Sequence, residues 1–498
     1  MNFLIESLFL ILFFLFFYFT LKIYLIRKRY EHIPGPRNKG IIDFYFGQYF
    51  QVKKHTSNDK KILSELLLKW TRIHGPVFCF QMFNRIIVVC NNEESVRSVL
   101  IDLDLPKSGR GSFTLDERFF GRSILVEVDK DKWRHTRNIM NHGFKKNNLM
   151  ENLDEFNSKG DCLIEKLKFL SESNSSSLPI FEHINRTTLD VIAKVAFDLE
   201  TDSLNNIDNK LNYYCCRGLQ AITVELNDPF CRLSQPKLVK KLRESLQKLR
   251  TFSLETLKEK INDLNESSSI QKENSILSLI IKSARTDDGF DYEKLVDDFV
   301  TFFIAGQETT ANALSFCLFE LGQNPHVLNK LREEVDRVLG DKREISDDDL
   351  SKLEYTSAVF NESLRKWPPV PFTFRTNFQD VEILNYKIPK NSWVMVSSYL
   401  MSRCEQNYPT PESFRPERFL KEDPFSLENK INSYTYFPFS LGPRNCIGHN
   451  FAKIEGRIIL AKLIQNFDFK LDPNQSFDIV QYATIRPVDG VKVFIKSR

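Results

Sequence analysis

The sequence predicts a mainly α-helical protein with a minor β-sheet region and a single N-terminal transmembrane helix. Three observations carry this. A long apolar run opens the chain. Several extended segments repeat apolar residues at helical spacing. Only short runs are rich in β-branched and aromatic residues.

From Phe3 to Ile26 only Glu6 and Lys22 are charged. A helix of that length spans about 36 Å, enough for a hydrocarbon core of roughly 30 Å. Arg27, Lys28 and Arg29 follow directly and stay cytosolic by the positive-inside rule, leaving the bulk of the chain in the cytosol. A cleaved signal peptide is disfavoured: the run is long, small residues are missing near its end, and the basic flank is on the wrong side. Residues 1–28 are therefore read as an anchor and 29–40 as a basic, proline-rich linker. In the linker, Pro34-Gly35-Pro36 stops any helix. One domain, 41–498, remains.

Within it, Val77 to Phe83, Arg85 to Cys90 and Trp393 to Ser398 read as strands. Polar stretches from Ser171 to Ser177 and from Asn262 to Asn274 read as surface loops. Asp291 to Gln323 reads as a long helix, with Pro325 just beyond it. Leu353 to Lys366 is a second helix, stopped by Pro368 and Pro369, and Phe451 to Gln465 a third. Five Asn-x-Ser/Thr sequons occur, at Asn174, Asn185, Asn265, Asn361 and Asn474, and a cytosolic domain leaves them unused. Asn361 falls inside a predicted buried helix.

Composition narrows the function. Net charge is +4 over 498 residues, without the clustered basic face of a nucleic-acid binder. Nine cysteines without a C-x-x-C pair read as reduced thiols. The histidines have no zinc-like spacing.

The chemistry concentrates in FPFSLGPRNCIG, residues 437–448. Phe439, Gly442, Arg444, Cys446 and Gly448 fit F-x-x-G-x-R-x-C-x-G. Gly442 and Pro443 suit a tight turn against a flat cofactor. Gly448 suits a sharp turn into the next helix, whose positive end stabilises a Cys446 thiolate presented to iron. Phe439 shields that sulfur and Arg444 pairs with a cofactor carboxylate. A lone buried cysteine is ordinarily just a small hydrophobe; five spaced positions argue otherwise.

A second cluster is Ala305-Gly306-Gln307-Glu308-Thr309-Thr310, in the middle of the long helix. From Phe299 to Phe319 the one charge is Glu308. The dense polar turn argues against another membrane span. Gly306 weakens the helix there, and a Thr hydroxyl can capture a backbone carbonyl, opening a notch for a diatomic molecule. Glu362 and Arg365 share a helix face, a pairing common on any surface. Trp133 and Arg137 share another, and both can donate to cofactor carboxylates.

The 437–448 loop resembles that of the cytochrome P-450 superfamily, over nearly the whole chain. Within it the chain is most similar to the cholesterol 24-hydroxylases, in LPKSGRGSFTLDERFFG (105–121), FNSKGDCLIEKL (156–167), DDFVTFFIAGQETTAN (297–312) and TYFPFSLGPRNCIGHNFA (435–452). The resemblance implies the cytochrome P-450 fold, with 41–498 as a haem-thiolate catalytic domain. It implies haem b, iron protoporphyrin IX, with Cys446 as axial ligand of its iron. It implies that Thr309 and Glu308 assist proton delivery during dioxygen activation, and that Glu362, Arg365 and Arg418 form a buried triad holding the cysteine loop. Arg375 resembles a further propionate ligand. His449 is expected at the surface, without a catalytic role.

The chain has no G-x-G-x-x-G fingerprint and no flavin domain, so electrons must come from a separate membrane-bound NADPH–cytochrome P-450 reductase. The expected address is the endoplasmic reticulum membrane. The expected substrate is a large lipid, a sterol by resemblance, in a pocket lined by Ala305, Val370, Phe372 and Ala483. Pro368 to Thr373 departs from the sterol 24-hydroxylase pattern and reshapes that pocket's roof. A fatty-acid hydroxylase is the alternative within enzymes. A peroxide-rearranging haem enzyme is disfavoured by Glu308 and Thr309. A non-catalytic gas-sensing haem protein is the alternative of another class.

Overall fold

The computed structural model describes all residues except 1, 38–39, 59–60, 110–112, 174–175, 267–274, 288, 422–430 and 482. The molecule is mainly helical with small sheets. Helix α1 (Asn2–Lys28) contains the one helix long and apolar enough to cross a membrane among the described residues, over Phe9–Lys28. Its side chains are almost all exposed, as they would not be in the core of a soluble domain.

The connector after it is packed down. Tyr30 and Ile33 are buried, Tyr30 Oη lies 2.6 Å from Ser392 Oγ, and Cys79 donates its N–H to Pro34 O at 2.8 Å. It leads to the hairpin of β1 (Val77–Met82) and β2 (Arg85–Cys90), paired Val77 to Cys90 through Met82 to Arg85. β1 ends one residue sooner than the sequence suggests, because Phe83 takes a left-handed φ of 54° in the turn.

The helices then follow: α2 (Lys130–Met140), α3 (Leu153–Ser173), α4 (Ile180–Phe197), α5 (Lys210–Asn227), α6 (Pro236–Glu266), α7 (Tyr292–Gln323), α8 (Pro325–Leu339) and α9 (Glu354–Lys366). Two predicted loops are partly helix. α3 takes in Ser171 and α6 runs to Glu266, since each helical pattern outlasts the onset of polar residues; 174–175 and 267–274 lie outside the described residues. β3 (Thr373–Thr376) and β4 (Trp393–Val396) complete a four-stranded sheet in the order β1-β2-β4-β3, with β4 parallel to β2. β4 stops at Val396 because the Ser397 hydroxyl accepts from Leu400 N, capping a short helix. Helix α10 (His449–Asn466) starts two residues before the predicted helix.

α7 is the axis of the core. All but a few of its residues from Leu295 to Leu321 are buried, and α4 lies along it. Stacked Phe197 and Phe303, 4.8 Å between centroids, join the two. Gly306 sits in this contact: a Cβ there would come 2.8 Å from Ile192 Cγ1. Gly306 thus serves packing as well as lining the cavity beside Thr309. α7 runs unbroken through it, and the missing side chain is spent on close packing against α4.

Candidate functional site

α7, α10 and the loop before α10 enclose a cavity of about 430 Å³. Within 301–310 only Ala305, Gly306 and Thr309 escape burial, and all three line it. Thr309 Oγ1 donates to Ala305 O at 2.7 Å, the carbonyl capture expected from the sequence. Glu308 turns aside: its Oε1 accepts from Thr484 Oγ1 at 2.9 Å, and Thr484 accepts from Asn312 Nδ2 at 3.0 Å.

Opposite stands Cys446. Its side chain has open surface, and that surface faces the cavity deep in the protein. Cys446 N donates to Phe439 O at 2.8 Å and Asn445 N to Gly442 O at 3.1 Å, closing the loop on itself. Gly442 has a φ of 72° and presses on Leu100 O, so a side chain there meets both strain and collision. Gly448, with a φ of −85°, needs no glycine for its turn; a Cβ there would stand 3.9 Å from Cys446 Sγ. Burial pushes the Cys446 thiol up, while the Gly448 N–H, Arg137 and Lys107 pull it back. Phe439 lines the cavity beside it. His449 Nδ1 lies 3.1 Å from Cys446 O.

Arg444 of the cysteine loop is joined there by three cations from distant parts of the chain, Lys107, Arg137 and Arg375. Arg444 donates to Glu127 O at 2.7 Å, with its guanidinium 3.9 Å above the Trp133 ring. Arg137 donates to Asn141 Oδ1, Asn445 O and Asn445 Oδ1, each at 2.7 Å, and so grips the residue before Cys446. Arg375 and Lys107 share one neutral acceptor, Thr373 Oγ1, at 2.7 and 2.9 Å. Arg375 Nη2 and Arg444 Nη2 are buried without a partner among the described residues. Burial holds Arg375 and Arg444 down to about 10, still charged at neutral pH, and with the neighbouring arginines holds Lys107 well below the usual lysine range. Asp104, which acts on both arginines, is already paired with Lys130 at 3.2 Å. Buried cations without counter-charge call for an anion. A flat cofactor with two carboxylates and an iron facing a thiolate, as in haem b, fits this donor set.

The third group is closed. Arg365 grips Glu362 through Nε at 2.7 Å and Nη2 at 2.9 Å; Arg418 Nε lies 3.4 Å from Glu362 Oε1. All three are buried. Arg418 also donates to Pro409 O and Thr410 O, and Arg365 to Ser402 O. Asn361, on the same helix, is half-buried, with its carboxamide oxygen 3.2 Å from Tyr436 Oη.

Ala305, Val370, Phe372 and Ala483 all line the cavity. Sequence reasoning missed Lys107, Thr373, Asn445 and Thr484. Lys107 lies inside the stretch 105–121 that carried the resemblance, the one signal that could have drawn attention to it.

Residues 41–487 match the family Cytochrome P450. The chain is 29% identical to Cytochrome P450 4V2 of Homo sapiens, over 83% of this chain and 80% of that protein. It is 29% identical to Cytochrome P450 3A29 of Sus scrofa, over 88% and 85%. It is 26% identical to Cytochrome P450 4d2 of Drosophila melanogaster, over 95% and 96%. With a family match across most of its length, the chain belongs to the cytochrome P450 family, monooxygenases that bind haem b.

Proposed function

We propose that this monooxygenase inserts one oxygen atom of O2 into a neutral, membrane-derived lipid of the sterol class. One observation carries the choice of lipid. The cations lining the cavity are Lys107, Arg137 and Arg444, all gathered about the cysteine loop. The rest of the lining, with Phe120, Ile124, Leu219, Ile222, Val370 and Phe372, adds no further cation among the described residues. A fatty acid brings a carboxylate that would be desolvated there without a partner, at a cost of several kcal/mol. A sterol brings no charge. The resemblance to cholesterol 24-hydroxylases read from the sequence points to the same class.

Haem b, when bound, supplies the oxidation chemistry, with Cys446 as its thiolate ligand. Trp133, Arg137, Arg375 and Arg444, together with Lys107, hold its carboxylates. The Gly448 N–H and the start of α10 stabilise the charge on Cys446 Sγ. Phe439 keeps water from that sulfur. Thr309 Oγ1, anchored on Ala305 O, holds and passes a proton at the oxygen-binding side. Glu308, whose Oε1 accepts from Thr484 Oγ1, is the acid that supplies it. Ala305, Val370, Phe372 and Ala483 position the substrate and exclude water. Glu362, Arg365 and Arg418 keep the cysteine loop in place.

Residues 1–28 anchor the chain in the endoplasmic reticulum membrane, 29–40 link, and 41–498 form the cytosolic catalytic domain. Electrons come from NADPH–cytochrome P-450 reductase. The test is product analysis by mass spectrometry with reductase, NADPH and a panel of sterols and long fatty acids. A hydroxylated sterol is expected; oxidised fatty acid with every sterol unchanged overturns the assignment.

A further inference from the structure

A second cavity, of about 1060 Å³, lies at the foot of α1, between the connector and the β1–β2 hairpin. Its lining includes Arg27, Lys28 and Arg37. Among the described residues none of the three has a carboxylate within ion-pair distance, although Asp43, outside the lining, acts on Arg27 from farther off. The one acid that lines it, among the described residues, is the exposed Glu31. Arg27 is half-buried, its guanidinium 5.0 Å over the Phe44 ring. Arg27 and Lys28 are also the last two residues of the candidate membrane span. A helix that crosses the hydrocarbon core with basic residues at its end holds them at headgroup depth.

The wall is built rather than loose. The connector is pinned by Cys79 N to Pro34 O at 2.8 Å, by Gln48 Nε2 to Pro36 O at 3.2 Å, and by His32 Nε2 against Lys387 O at 2.8 Å. Gly35 lies so close to Cys79 O that no side chain fits there. A loose basic tail is drawn to any anionic surface; cations carried on a pinned connector around a preformed hollow, Arg27 half-buried and Lys28 and Arg37 exposed, can select one group. The chemistry they fit is a phosphate ester. The apolar rim from Tyr24 and Phe44 suits the glycerol and acyl end of the same molecule.

We propose that this cavity binds one anionic glycerophospholipid by its phosphate headgroup. The proposal rests on the reading of α1 as a membrane span. The test uses the full haem-loaded chain in phosphatidylcholine nanodiscs carrying a small fraction of labelled phosphatidylserine. Binding is read by fluorescence and lipid retention by native mass spectrometry. One phosphatidylserine per chain is expected to be retained. Arg27→Gln/Lys28→Gln/Arg37→Gln should weaken it at least about tenfold. Arg29→Gln/Lys53→Gln/Lys54→Gln, which removes three exposed cations that do not line the cavity, should change it by less than about twofold. Equal losses in both variants would mean diffuse surface attraction and overturn the site. Displacement of the lipid by millimolar inorganic phosphate would make the occupant a free anion and overturn the lipid. A chain that fails to enter pure phosphatidylcholine discs overturns the membrane reading beneath it, a result separate from headgroup selection.

Discussion

Cys446 owes its surroundings to groups that cannot be read from its neighbours alone. Replacing it with serine should abolish the red-shifted Soret band of the reduced, carbon-monoxide-bound protein; a preserved band would mean another ligand. Thr309→Ala should keep haem and substrate binding while diverting electrons into peroxide and water. General acid–base assistance of this kind is worth roughly 10²–10⁴-fold. Unchanged coupling of NADPH to product would remove Thr309 from proton delivery. His183 offers a pH test. Its Nδ1 is buried without a partner among the described residues, and burial, with Lys166 and Arg186 nearby, pushes the imidazole down to about 4. The folded state resists a proton that the unfolded chain accepts near 6.5. Stability should therefore be lost as pH falls from about 6.5 toward 4, and His183→Gln should flatten the thermal midpoint across that window.

Among elements, α9 and the segment 402–418 depend on one carboxylate. Glu362 meets Arg365, Arg418 and the Arg415 N–H, the last at 2.8 Å. Glu362→Gln leaves two guanidinium groups buried without counter-charge, at a cost of about 3–5 kcal/mol. A thermal melt should register this as a lower midpoint, and haem should be lost more readily on dilution. The helices α7, α9 and α10 were legible to within two residues, since a 3.6-residue period is a local signal. Their ends and the strand ends shifted where one residue chose a turn, as Phe83 did, or a cap, as Ser397 did. The packing reason for Gly306 was not legible because it lies across the core, in Ile192 of α4.

For the whole molecule, the proposed orientation across a membrane rests on Arg27, Lys28 and Arg29. The sequons give a check. The Asn185 carboxamide oxygen accepts from Gln307 Nε2 at 2.7 Å inside the core, where a glycan has no room. Endoglycosidase should leave the mobility of the cellular protein unchanged; a shift would put the domain on the lumenal side. The apolar run, the helical periodicity and F-x-x-G-x-R-x-C-x-G were settled by residue type and local spacing, so sequence alone carried the fold class and the cysteine loop. The grouping of Lys107, Arg137, Arg375 and Arg444 was decided only by folding. The cysteine motif marked Arg444 and the spacing from Trp133 marked Arg137, but no local pattern records that chain closure will bring them together with Lys107 and Arg375, desolvated and short of negative charge.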